Sequence, residues 1–214
     1  NISRENLYNN IIQCRSILND FDILKGDRVA FKGKNSVEWL SWNIACQSLG
    51  VVWVPMYEQQ TANQCQYIVN DCQPKLLITN ENIDIKHTNI ISPEINKNEH
   101  IHNTFYFQPN ELSTLIYTSG TTGNPKGVML TQDNILSNIT GIRQRFSDIQ
   151  VNTTSLSILP WAHIYGLTCE LYYNLLYDNT TAICSDKTKF TDECKEIKPH
   201  VLYIVPKLLE HIKS

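Results

Sequence analysis

A chain of 214 residues with 42% hydrophobic and 18% charged side chains has the means to bury a core of its own, which excludes disordered and fibrous classes. Its formal net charge of -3, from 18 basic and 21 acidic residues with no dense basic run, argues against nucleic acid as the main partner. The longest apolar runs, such as Val51 to Val54, fall far short of the roughly 18 to 20 residues that a membrane-spanning helix needs.

From the N-terminus, Ser3 is placed to cap a helix whose apolar face is Leu7, Ile11, Cys14 and Leu18, with Ile2 stapling against Leu7. Gly26-Asp27 turns the chain into a strand at Val29 to Phe31. Asn35, with Glu38 three residues on, then opens a helix through Trp39, Trp42, Ile44 and Cys46 that Gly50 closes. Val51 to Val54 is a continuous apolar run, the pattern of a strand covered on both faces, and Pro55 is expected to end it. Thr61 and Gln64 form a capping box for a helix carrying Cys65, Ile68 and Cys72, and Leu76 to Ile78 gives the next buried strand. Alternating strands and helices predict a mostly parallel α/β sheet.

Residues 80–110 are dense in Asn, His, Lys and Glu without periodicity, which divides the chain into an α/β portion at 1–79, a connection at 80–110 and a second α/β portion at 111–214. The pattern resumes with a strand at Ser113 to Thr118 and a helix capped by Thr131 that carries Ile135, Ile139, Ile142 and Phe146. Next come a strand at Ser155 to Leu159, a helix over about Gly166 to Tyr177, and short strands at Thr181 to Cys184 and Val201 to Val205. Pro206 opens a last helix, and no composition shift precedes Ser214, so the chain reads as a piece of something longer. Seven cysteines without a CxxC pair, most inside apolar patterns, fit reduced thiols. With no apolar signal core at the N-terminus, the expected location is intracellular, in the cytoplasm or at an organelle membrane surface.

One segment carries chemistry. Tyr117-Thr118-Ser119-Gly120-Thr121-Thr122-Gly123-Asn124-Pro125-Lys126-Gly127 joins a strand end to three glycines, four Ser/Thr hydroxyls and one lysine. Glycines let backbone N–H groups approach an anion closely, hydroxyls add donors, and lysine adds a point charge for a phosphate oxygen. The spacing is neither Walker A nor GxGxxG, so a P-loop NTPase and a Rossmann dinucleotide site lack support. On the residues alone, a polyphosphate site and a Gly/Ser/Thr-rich surface turn both stay open.

The segment closely resembles the phosphate-binding loop of the adenylate-forming superfamily, which includes acyl-CoA synthetases, luciferases and peptide-synthetase adenylation domains. Similar segments follow the same order: Gly26 to Ala30 with Asn35 to Trp39, Leu49 to Tyr57, and Leu159-Pro160-Trp161-Ala162-His163-Ile164-Tyr165-Gly166, whose wording is nearest to long-chain fatty acid CoA ligases. The resemblance implies a layered α/β fold of mostly parallel sheets flanked by helices. It implies ATP, Mg²⁺ and coenzyme A as the small-molecule requirements, with a fatty acid activated to an acyl-adenylate and then to acyl-CoA. Thr118, Ser119, Gly120, Thr121, Thr122 and Gly123 would hold the β- and γ-phosphates, with Lys126 as catalytic counter-charge and Thr118 beside the Mg²⁺. His163, which alone reads as a structural histidine, becomes the second catalytic residue where carboxylate and α-phosphate meet. Trp161, His163, Tyr165 and Gly166 would border the acyl pocket.

The family's adenine-binding motif, its Tyr-Gly-x-Thr-Glu-like segment, its ribose-binding Asp and the lysine of its mobile C-terminal domain have no counterpart up to Ser214. An N-terminal piece of a fatty acid CoA ligase is therefore the leading expectation, inactive alone and partnered by the remainder of its parent chain. An adenylating ligase for a shorter or aryl acid and a non-catalytic nucleotide-binding module remain the alternatives. No transmembrane segment is expected, and peripheral membrane association stays open.

Overall fold

The structure is a computed structural model describing residues 2–87, 89–95, 106, 108–118, 124–146, 152–184 and 186–206. The chain forms two compact units, Asn1–Asp133 and Asn134–Ser214.

The first unit is built on strands β1 (Arg28–Lys32), β2 (Val52–Met56), β3 (Leu76–Ile78), β4 (Ile90–Ile91), β5 (Leu112–Thr118) and β6 (Lys126–Thr131), with helices α1 (Arg4–Asp20), α2 (Val37–Ser48) and α3 (Ala62–Cys72). The strands lie in the order β4-β3-β1-β2-β5-β6, parallel throughout except for the antiparallel pair β5–β6. This is the expected mostly parallel α/β sheet. β4, within the 80–110 connection, extends the sheet beside β3, and β5, after it, pairs with β2 at Trp53↔Thr114.

Strand alternation explains which helix covers which face. Trp53 of β2 stacks edge-on against Trp39 of α2 at 5.2 Å between ring centroids, with Phe31 of β1 at 5.6 Å from Trp53. On the other face Val52, Val54 and Met56 share a buried cluster with Cys65, Ile68 and Cys72 of α3 and with Tyr117 of β5. The caps are equally local. Ser3 Oγ accepts from Asn6 N–H, and Thr61 and Gln64 form the full capping box.

Two local expectations change. The α2 cap is Ser36, whose Oγ accepts from Trp39 N–H at 3.1 Å, rather than the adjacent Asn35. Pro55 does not end the strand but sits inside β2, opposite Phe31. Val52 N–H donates to Asp27 O on the β1 side, so alternation turns the nitrogen of residue 55 toward β5, beyond the Trp53↔Thr114 pair, where a missing donor breaks no ladder bond.

The second unit holds most of α4 (Gln132–Arg145), a parallel pair of strands β7 (Thr154–Ser157) and β8 (Thr180–Ile183), α5 (Tyr173–Leu176) and α6 (Phe190–Ile197). A π-helical turn, Gly166–Tyr172, leads directly into α5, so the expected helix exists with a different winding. Tyr173 N–H donates to Thr168 O, five residues back. The expected strand at 201–205 reduces to one parallel bridge, Ser155↔Val201, and the helix expected from Pro206 lies almost entirely outside the described residues. Leu156, Trp161, Leu167, Leu171, Tyr173 and Phe190 are buried. Among the described residues, no helix is long and apolar enough to cross a membrane.

Candidate functional site

The Gly/Thr-rich segment joins β5 to β6. Thr118, the last residue of β5, is the cross-strand partner of Lys126, the first of β6, and both are exposed. Partners across an antiparallel pair project to the same face, so both side chains leave the sheet on one side where the chain leaves and re-enters it. Ser119, Gly120, Thr121, Thr122 and Gly123 lie outside the described residues. β5 runs parallel to β2, so Thr118 emerges at the carboxyl ends of the parallel strands, the edge at which open α/β sheets take ligands.

The opposite face of the hairpin is anchored. Tyr117 is buried, and its hydroxyl donates to Asp71 Oδ2 of α3 at 2.5 Å. Burial, and then the hydrogen bond to Asp71, push that phenol well above its usual range. Its cross-strand partner is Gly127, where an added Cβ would stand 3.1 Å from Tyr117 Cζ. A side chain after Lys126 would therefore crowd the Tyr117 ring. Tyr117 and Gly127 form the pair next to Thr118 and Lys126 in the ladder, so the buried ring ties that end of the hairpin to the sheet core.

Among the described residues, no cluster of three or more His, Cys, Asp or Glu forms a metal site. This is compatible with Mg²⁺, a hard cation that is usually held by one or two protein oxygens plus phosphate oxygens and water. The exposed Thr118 hydroxyl fits as one such oxygen.

The second group of expected residues lies on the turn between β7 and the π-helical turn. His163 N–H donates to Pro160 O at 3.0 Å, and Tyr165 N–H donates to His163 Nδ1 at 3.1 Å. With Nδ1 accepting, the neutral ring carries its proton on Nε2. His163 is exposed and Tyr165 is partly so, whereas Trp161 is buried and its indole N–H donates to Ser157 Oγ at 3.0 Å. At Gly166 an added Cβ would lie 2.4 Å from Pro160 O, so only glycine permits the helix to start against that carbonyl.

Glu170 is absent from the sequence-based expectations. It is fully buried on the π-helical turn, and its carboxylate accepts from Ser157 Oγ at 2.5 Å, Ile158 N–H at 2.9 Å and Leu159 N–H at 3.2 Å. Burial pushes its carboxyl up to about 7, against the opposing pull of those hydrogen bonds. The available signal was one acidic residue inside the otherwise uncharged run Gly166 to Tyr173.

The model of the AMP-binding enzyme family matches residues 1–214. The chain belongs to the AMP-binding enzyme family. Among curated relatives in that family, long chain acyl-CoA synthetase 3 of Arabidopsis thaliana is 26% identical over 248 residues, covering 96% of this chain and 37% of that protein. The probable acyl-activating enzyme 16, chloroplastic, of the same plant is 36% identical over 115 residues, covering 51% of this chain and 15% of that protein. Among solved structures, O-succinylbenzoate CoA synthetase (MenE) from Bacillus subtilis, in complex with AMP, superimposes with a TM-score of 0.88 at 23% identity over 98% of this chain and 57% of its own. The N-terminal domain of FACL13 from Mycobacterium tuberculosis gives 0.79 at 22% identity, covering all of this chain and 58% of its own. The chain thus has the fold of adenylate-forming enzymes and spans little more than a third of the length of the acyl-CoA synthetases it matches.

Proposed function

We propose that the protein carrying this chain is an ATP-dependent fatty acid CoA ligase, with the β5–β6 hairpin as its polyphosphate cradle. The observation that carries this reading is the pairing of Thr118 with Lys126 at the two ends of the Gly/Thr-rich segment. The acyl-CoA synthetases among its relatives support the fatty acid as substrate.

The chemistry follows from what a carboxylate lacks. It is a poor acyl electrophile, so one of its oxygens attacks the α-phosphorus of ATP, pyrophosphate leaves, and the acyl-adenylate is then attacked by the thiol of coenzyme A with release of AMP. Negative charge on the phosphoryl oxygens has to be met by preplaced positive groups and donors. Lys126 supplies a full positive charge and Thr118 a hydroxyl, and the resemblance assigns the remaining donors to Ser119, Gly120, Thr121, Thr122 and Gly123. Bound Mg²⁺, held on the protein side by Thr118, would neutralise phosphate charge. His163, with its Nε2 proton available, hydrogen-bonds the substrate carboxylate or the α-phosphate, and Tyr165 and Gly166 border the acyl chain. Trp161, taken up by Ser157, contributes by shaping that border from beneath.

Hydroxylamine trapping tests the reading. The whole protein, given ATP, Mg²⁺, hydroxylamine and a panel of acids from acetate to long-chain fatty acids with aryl acids alongside, is expected to yield the long-chain hydroxamate. Hydroxamate from a short or aryl acid alone would replace the fatty acid with that substrate. No hydroxamate from any acid, with ATP still bound, would make the protein a nucleotide-binding module.

A further inference from the structure

The segment from the end of β7 to His163 is short, exposed at His163, and one side chain ties together several of its residues. Glu170 has no exposed surface and lies one helical turn or more beyond His163 in sequence, yet its two carboxylate oxygens reach back to residues 157, 158 and 159. One oxygen takes both backbone N–H groups of Ile158 and Leu159, just past the end of β7. The other takes the Ser157 hydroxyl, whose own oxygen accepts the indole N–H of Trp161. The carboxylate therefore fixes the segment at its start and, through Ser157, two residues before His163. On the far side, Asn174 donates to Glu170 O at 2.6 Å and to Ser155 Oγ at 2.8 Å, which ties the backbone at Glu170 to β7 itself. The tip of the turn is held as well by His163 N–H donating to Pro160 O, by Leu167 N–H donating to His163 O and by the close approach of Gly166 to Pro160 O.

A buried carboxylate is a costly way to hold a turn, since an apolar side chain would fill the same volume without desolvating a charge. Its placement on a π-helical turn, a winding frequent at functional sites, adds to the case that the arrangement serves position rather than stability.

We propose that Glu170 is a positioning residue for acid activation: its buried carboxylate sets the backbone that presents His163. The proposal rests on the ligase reading above. It requires that removing the carboxylate's geometry act on the reaction through His163, and not merely by loosening the fold.

The test is a double-mutant cycle in the whole protein, with Glu170→Gln, His163→Ala and the pair, read as carboxylate-dependent pyrophosphate–ATP exchange. Glu170→Gln keeps the shape but sets an amide N–H₂ where Ser157 now finds an acceptor. It is expected to lower kcat by about 10- to 100-fold with the KM for ATP unchanged, in line with the cost of an ångström-scale misplacement. In the His163→Ala background the same change should have almost no further effect. A merely structural role predicts a lower melting temperature and a smaller active fraction, with equal fold-losses in both backgrounds, and that outcome overturns the proposal.

A second readout is the ring Cε1–H resonance of His163, assigned by its loss in His163→Ala. It should move in Glu170→Gln at fixed pH, and an unmoved resonance overturns the proposal. If Glu170→Gln does not fold, Ser157→Ala, which cuts the link to Trp161, is read in the same two ways. A wild-type protein without exchange for any acid would overturn the ligase reading alone, and the His163 resonance would still decide the positioning role.

Discussion

Thr118 and Lys126 are direct partners across the antiparallel pair β5–β6, both exposed, with the buried Tyr117 and its partner Gly127 immediately beneath them on the other face. The pairing puts a hydroxyl-bearing and an ammonium-bearing side chain on one exposed face at the end of the hairpin. Lys126→Ala should therefore cut pyrophosphate exchange on the order of 10²- to 10³-fold, the usual cost of one transition-state contact. Thermal unfolding of the same variant should stay within about 0.5 kcal/mol of wild type, as for other exposed substitutions.

The anchor below the pair makes a separate forecast. Tyr117→Phe removes the donor to Asp71 but keeps the ring over Gly127, so it should cost about 1 kcal/mol in urea unfolding while leaving the fold intact. Gly127→Val sets a branched side chain against the Tyr117 ring and should cost more, with a further loss of exchange activity because the register at Lys126 is disturbed.

Gly166 is a second position where only hydrogen fits. Gly166→Ala drives a Cβ to within 2.4 Å of the Pro160 carbonyl, a backbone atom that moves only with the turn carrying His163. A destabilisation of about 1 to 3 kcal/mol is expected, as for other overpacked sites, together with reduced kcat. Wild-type stability and activity in this variant would show that the turn is looser than the close approach indicates.

Glu170 gives stability a pH dependence of definite sign. Its carboxyl is raised from 4.5 to about 7 in the fold, chiefly by burial, so between those values the native state holds a proton that the unfolded chain has released. Stability from this group is complete below about pH 4.5 and falls as pH rises through about 7, by about 3 kcal/mol at an upper bound. Glu170→Gln, which cannot ionise, should lack this component. The difference between the two unfolding free energies should change in one direction from about pH 4.5 to about 7 and level off above that, and parallel curves would show that Glu170 does not titrate in that window.

Much of the first unit was legible in sequence because its signals are local. The Thr61–Gln64 capping box, the apolar run at Val51 to Val54 and the glycine after α2 each act within a few residues of where they sit. The misses have non-local causes. Asn35 and Ser36 are both good caps, and only the turn geometry selects Ser36. β6 escaped because it is an edge strand whose Val128 and Met129 are 43% and 71% exposed, so no inside–outside alternation marks it and pairing with β5 alone defines it. The π-helical turn depends on the Gly166–Pro160 approach, and Glu170 draws its role from residues 11 to 13 positions upstream. The catalytic expectation at Lys126 was readable as a string of residue types. The residue that organises the His163 turn was not, since a single Glu in an apolar helix carries no spacing rule.

The most direct test of the account is carboxylate-dependent pyrophosphate–ATP exchange by the whole protein and its Lys126→Ala variant, each with a saturating long-chain fatty acid and with no acid. The account predicts acid-dependent exchange in the wild type and a loss of at least about 100-fold in the variant, at unchanged thermal stability. Equal exchange by the two proteins would contradict the assignment of the β5–β6 hairpin as the polyphosphate cradle.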